Sequence, residues 1–190
     1  MEKRNVTNRV SAGMRHRKTL LALATITLVM SAFIAGVSFA GSAMAPGTKT
    51  IPDFEKMKSL VGEWQGKASN GTSAKVSYAL VSDNSALMER LAMGGESEMV
   101  TMYHPDGDHL MMTHYCSAHN QPRMRSQKAS GEIKNIDFDL VDVTNLATPD
   151  AGHMKKLVVT FVDQDHFTQE WTWTEKGKDG TVLIQFERMK

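Results

Sequence analysis

The sequence predicts an all-β fold: a single antiparallel up-and-down β-barrel of about ten strands with one short N-terminal helix. Three observations predict it. From residue 61 onward the chain runs in period-two segments broken by turn residues roughly every 8–12 positions, as consecutive antiparallel strands do. No segment after residue 60 sustains a 3.6-residue period. The breaks are uniformly short, which suits strands that each pair with the next and a sheet that closes on itself, leaving no exposed edge. A sandwich with Greek-key links is the alternative, but it needs longer crossovers.

Charge is distributed unevenly along the chain. Residues 1–40 hold six Lys/Arg and one Glu, whereas 41–190 hold 16 Lys/Arg and 20 Asp/Glu. The mildly acidic body excludes nucleic acid as the main partner, because phosphate binding needs a concentrated basic face. Between Thr19 and Thr48 there is no charged residue, and the run LLALATITLVMSAFIAGVSFA follows Arg15, His16, Arg17 and Lys18. A positive head, an apolar middle and small residues at a cleavage site read as an export signal over 1–40. The cut falls after Ala40, with Ser38 three residues before the bond, or after Ala43, with Gly41 there. Met14 opens a compact signal of its own and is a possible true start. Without an Arg-Arg pair the general secretory route is expected. A retained anchor is the alternative, since roughly 20 apolar residues span a bilayer. The expected location is therefore exported, periplasmic or secreted, with membrane contact only through this segment. A single cysteine excludes an intrachain disulfide framework and a four-thiolate zinc site. In an oxidising space Cys116 is expected to be buried and inert.

Residues 41–52, rich in small side chains, read as a linker, and 53–190 as the barrel domain. The first element is a helix over 51–60, with Phe54, Met57 and Leu60 at helical spacing, Pro52 just ahead and Asp53 as its cap. Strands follow at 61–68, 74–82, 86–93, 97–104, 109–116, 123–129, 132–142, 155–163, 166–175 and 181–189. Their turns carry Asn70-Gly71, Asp83-Asn84, Gly94-Gly95, Asp106-Gly107, Ser130-Gly131, Asp163-Gln164-Asp165 and Lys178-Asp179-Gly180. Alternation is clean at Val76/Tyr78/Leu80, Ile136/Phe138/Leu140, Leu157/Val159/Phe161 and Val182/Ile184/Phe186. The longest break, 143–154, is expected to form a loop over one mouth.

The chemistry concentrates in the hairpin MVTMYHPDGDHLMMTHYCSAHNQPRMR. With the turn centred on Asp106-Gly107, His104 pairs with His109, Thr101 with Met112 and Met99 with His114. The face carrying Met99, Thr101, Tyr103, Leu110, Met112, His114 and Cys116 is expected inside. Met99, Met102, Met111, Met112 and Met124 lie close together, and such side chains suit either an ordinary core or a pliable ligand cavity. Histidines recur at 104, 109, 114 and 119, but five-residue spacing on a strand alternates faces, so no metal site is expected. His114 and Cys116 are too far apart on one strand for a nucleophile–base pair without an orienting acid, so a buried thiol beside a hydrogen-bonded imidazole is the simpler reading. If Arg123 faces inward it needs a carboxylate, either Glu89 or one on a ligand. Trp171 and Trp173 share a face with Phe167 and Gln169, an arrangement commoner in a core than in a ligand cage.

Two landmarks carry a resemblance. One is Leu60-Val61-Gly62-Glu63-Trp64. The other is Tyr103-His104-Pro105-Asp106-Gly107-Asp108 followed by Thr113-His114-Tyr115-Cys116 and Asn120-Gln121-Pro122-Arg123-Met124. Over about residues 53–190 the chain resembles an uncharacterised family of bacterial exported proteins with a lipocalin-like or fatty-acid-binding-protein-like (calycin) barrel. The resemblance implies a ten-stranded barrel and a small apolar ligand, with no known reaction. His119 stands where that family leads one to expect Gly, a residue that supplies positive φ. A weaker likeness is to nitrobindin-type haem barrels, whose haem hangs from a His near the end of the last strand. Ile184-Gln185-Phe186-Glu187-Arg188 has none there, so no haem or other cofactor is expected. The functional expectation is an exported barrel binding a small hydrophobic or amphipathic molecule among Met99, Tyr103, Met112, His114, Cys116 and Trp171, with Arg123 and Glu89 as polar contacts. An enzyme using His114 as general base is the alternative, and haem carriage a further one.

Overall fold

The structure, a computed structural model, describes residues 51–128 and 131–190; the expected export signal and nearly all of the linker, at 1–50, lie outside the described residues. The expected architecture is present. Helix α1 (Pro52–Lys58) leads into ten strands: β1 (Gly62–Ala68), β2 (Ser73–Val81), β3 (Ala86–Met93), β4 (Met99–Asp106), β5 (His109–Tyr115), β6 (Gln121–Ser126), β7 (Asn135–Thr144), β8 (His153–Phe161), β9 (His166–Glu175) and β10 (Lys178–Arg188). No strand end departs from its expected position by more than three residues. Each strand pairs antiparallel with the next, and β1 pairs with β10 to close the barrel.

The helix closes the lower end. Ile51 has extended backbone (φ −97°, ψ 141°), and Pro52 occupies the first turn, where its missing N–H costs nothing. Ile51, Phe54, Met57 and Leu60 are buried beneath the strands. Asp53 is not the cap: the N-cap is Ile51, with no side-chain hydrogen bond. Asp53 is instead the second residue of the helix, two past the cap, buried, and accepts a bond from Ser126 Oγ at 3.3 Å. Ser126 Oγ in turn accepts the Leu110 N–H at 2.8 Å, tying the helix to β5 and β6. Burial pushes the Asp53 carboxyl above its ordinary range.

The seam between first and last strand is locked from both sides. Gly62 has φ of +129°, and a Cβ there would stand 3.1 Å from the Arg188 guanidinium. That guanidinium lies 4.0 Å over the Trp64 ring and donates to the carbonyls of Ser59 and Val61 at 2.9 and 3.0 Å. Trp64 Nε1 donates to Leu60 O at 2.7 Å. At Gly66 a Cβ would come within 2.5 Å of the Gln185 carbonyl, so only glycine permits β1 and β10 to approach as they do.

Inside, the lower and middle barrel is solid. Leu87, Tyr103, Leu110, Met112, Met124, Phe138, Leu157 and Val159 keep essentially no accessible surface, so no water-sized void touches them. Phe167 is packed by Trp64, Tyr78 and Phe186, at centroid distances of 4.7, 5.9 and 4.9 Å. The methionines divide by strand alternation: Met99, Met112 and Met124 point in, whereas Met102 and Met111 lie half-buried on the outer face. Met112 and Met124 thus fill a core rather than line a cavity.

The hairpin between β4 and β5 differs from expectation in register. Its two-residue turn is Gly107-Asp108, with Asp106 opposite His109, Tyr103 opposite Met112 and Thr101 opposite His114. Gly107, at φ +62°, takes the first central position of the turn, the sign that a type II′ turn requires there. The register moves by two residues, an even step, so every side chain keeps the face assigned to it.

Candidate functional site

The corrected register lines up four polar residues across four strands. Tyr78 on β2 stands opposite Glu89 on β3, Glu89 opposite Thr101 on β4, and Thr101 opposite His114 on β5. All four point inward and are buried, with Gln169 from β9 joining them. A polar layer therefore crosses an otherwise apolar barrel.

Glu89 is its hub. Oε2 accepts Tyr78 Oη at 2.7 Å, Tyr103 Oη at 2.9 Å and Gln169 Nε2 at 2.8 Å. Oε1 faces Thr101 Oγ1 at 3.4 Å. Gln169 Nε2 also donates to Tyr78 Oη at 2.7 Å, and Gln169 Oε1 accepts Trp171 Nε1 at 3.0 Å. Burial pushes the Glu89 carboxyl up, against the pull of its four hydrogen bonds. Burial, with Glu89 close by, drives both tyrosine hydroxyls well above their ordinary range, so they remain protonated donors.

His114 ends the layer. Thr101 Oγ1 and His114 Nδ1 are hydrogen-bonded at 2.9 Å, and the Trp171 ring is tilted against the imidazole at 4.8 Å. Nε2 is buried and has no hydrogen-bond partner. Burial lowers the His114 pKa from 6.5 to about 4, so the ring is neutral near pH 7. An unpaired buried nitrogen costs roughly 1–3 kcal/mol, which makes it an unsatisfied position in the fold.

Above His114, toward the end of the barrel away from the helix, several inward side chains are only partly buried. Met99 precedes Thr101 in the inward row of β4, and Cys116 follows His114 in line from β5. Met93, Cys116, Leu140, Met154 and Val182 are half-buried against the core. Cys116 is thus not sealed in the interior as expected. Beside the 145–152 loop lies a cleft of about 490 Å³ lined by His119, Asn120, Asn145, Trp173 and Glu175. Asn120 Nδ2 donates to Gly152 O at 2.9 Å, joining the β5–β6 turn to this loop. His119 carries φ +63°, the left-handed backbone for which glycine was expected.

Of the eight residues named from sequence, Glu89, Met99, Tyr103, Met112, His114 and Trp171 share the interior, and Cys116 borders it. Arg123 does not. It points out of the barrel, forked onto Asp142 of β7, which holds the Asp142 carboxylate below its usual range. The expected Glu89–Arg123 contact is absent, and Glu89 is held by hydrogen bonds rather than by a cation. Thr101, Tyr78 and Gln169 were missed as site residues. Their signal was present, as polar residues within inward-facing rows, and the register placed two residues off kept only Thr101 from its partner His114. Among the described residues no group of three or more His, Cys, Asp or Glu is placed to hold a metal ion. His104 and His109 spend their Nδ1 atoms on the carbonyls of Pro105 and Ser126 at 3.1 and 2.8 Å.

The fold defines a class, the closed ten-stranded antiparallel barrel with a helical plug. No family model matches the chain, and no curated protein does. Solved structures of the same fold exist. Rv2717c from M. tuberculosis aligns with a TM-score of 0.53 at 12% identity, over 73% of this chain and 98% of its own. A protein with unknown function from the DUF3598 family of Nostoc punctiforme PCC 73102 aligns with a TM-score of 0.50 at 14% identity, over 70% of this chain. The match spans about half, 49%, of that protein's length. At such identities the likeness is one of fold alone.

Proposed function

We propose that this chain is an exported, calycin-like binding barrel that takes a small hydrophobic or amphipathic molecule through its upper mouth. The observation that carries the reading is the unpartnered Nε2 of His114. It is the one open position in a polar layer whose other groups are satisfied, and it lies beneath Met93, Met99 and Met154, unbranched side chains that repack at low cost. Apolar walls with one placed polar group are what a site for such a molecule needs. The solid lower barrel confines the guest to the upper half, next to Trp171. Arg123, outside the wall, has no part in it. The export component rests on the composition of residues 1–45.

Binding is favoured over general-base catalysis at the same histidine. A base held near pKa 4 has little driving force to take a proton at neutral pH, whereas a neutral imidazole is well suited to recognise a polar atom. Native mass spectrometry of the purified full-length chain tests the reading. A co-purifying small molecule, or a saturable change in tryptophan emission on titration with a medium-chain alcohol, is expected, and His114→Phe should weaken either. A bare protein mass together with an emission that no apolar probe changes would overturn it.

A further inference from the structure

The proton directions in the polar layer can be followed one by one, and they narrow the binding reading, on which this inference rests. Tyr78, Tyr103 and Gln169 all donate to Oε2 of Glu89. Gln169 gives its second amide proton to the Tyr78 oxygen, and its carbonyl accepts the Trp171 indole, so its orientation is set. Oε1 of Glu89 is left facing Thr101. Donors meet Glu89 at both oxygens, three at Oε2 and Thr101 at Oε1, the pattern of an ionised carboxylate, whose oxygens both accept and neither donates.

With Glu89 ionised, Thr101 gives its only proton to Oε1. Its oxygen can then only accept from His114. Nδ1 therefore carries the imidazole proton, and Nε2, buried and unpartnered, presents a lone pair. We infer that the guest is recognised as a hydrogen-bond donor: an alcohol or phenol whose O–H points at His114 Nε2, with ketones, esters and carboxylates rejected. A carbonyl would oppose lone pair to lone pair, and a carboxylate would add a second buried negative charge beside Glu89.

The same reasoning predicts how to invert the preference. Glu89→Gln keeps the carbonyl oxygen for the three donors but turns an N–H toward Thr101. Thr101 then donates to Nδ1, and Nε2 becomes an N–H that suits a carbonyl guest. The experiment titrates the full-length chain with octanol, methyl hexyl ketone and octanoate, reading tryptophan emission. In the unaltered protein octanol should bind at least tenfold more tightly than the ketone, with octanoate weakest; in Glu89→Gln the ketone should overtake the alcohol. Nitrogen-15 NMR of the His114 ring in the unaltered protein should find Nε2 unprotonated, a readout that stands even if the variant does not fold. Ketone binding equal to or tighter than octanol, or a protonated Nε2, overturns the donor inference while leaving a binding barrel in place. If none of the three probes binds, the binding reading fails and the inference with it.

Discussion

Each partner of Glu89 depends on it. Removing the carboxylate in Glu89→Ala leaves the hydroxyls of Tyr78 and Tyr103 and an amide proton of Gln169 buried and unpaired. At roughly 1–3 kcal/mol for each orphaned group, the loss should exceed about 3 kcal/mol, seen as a lower urea midpoint with an unchanged slope. His114 makes a pH-dependent contribution. Its pKa is about 4 in the folded state and 6.5 in the unfolded chain, so the unfolded chain binds the proton first as pH falls. The stability from a neutral His114 is full above 6.5 and is lost between 6.5 and about 4, amounting to roughly 3 kcal/mol. Glu89 and Asp53, both raised, act oppositely: their contribution is present in acid and lost as pH rises through their folded values. The test is the difference in unfolding free energy between the unaltered chain and His114→Phe across that range. A difference that does not change with pH would contradict the assignment. The identities of these residues were legible in the sequence, but their grouping was not. Glu89, Thr101 and His114 meet only through strand register, and register rests on which two residues form a turn. Asp106-Gly107 and Gly107-Asp108 are both acceptable turn pairs, and nothing local to the hairpin decides between them.

At the scale of elements, the strands were readable because alternation and turn residues coincide at almost every boundary. Faces were readable too, and they survived the two-residue register error because an even shift preserves them. Helix capping was not: Asp53 has the right side chain for a cap, but it stands two positions past the N-cap, inside the helix and buried against Ser126. Arg123 was misjudged for a related reason. Alternation gives only the relative faces of neighbouring residues, and it was Pro122, Met124 and Ser126 that turned inward on β6. The tightest element-level constraint is Gly66. In Gly66→Ala the new methyl meets the β10 backbone, which cannot rotate away as a side chain could. We expect a loss of at least about 2 kcal/mol by chemical unfolding. Gly71→Ala on the exposed β1–β2 turn is a useful control: its Cβ meets nothing, and its cost comes from the positive φ alone.

For the whole molecule, closure depends on a few groups at the seam. Arg188 joins the last strand to Trp64 and to the carbonyls that follow α1. Arg188→Ala should cost at least about 2 kcal/mol, and Arg188→Lys should recover little, because one ammonium cannot serve two carbonyls and cover a ring in the guanidinium's plane. Comparing the urea midpoints of the two variants checks this; full recovery by lysine would mean that charge alone matters. The pairing of β1 with β10 also bears on how the chain is made. In a chain without β10, β1 and β9 would each be left with a bare hydrogen-bonding edge. Fragments lacking the last dozen residues should therefore seek each other's edges and assemble into oligomers, whereas the closed barrel satisfies those edges within itself.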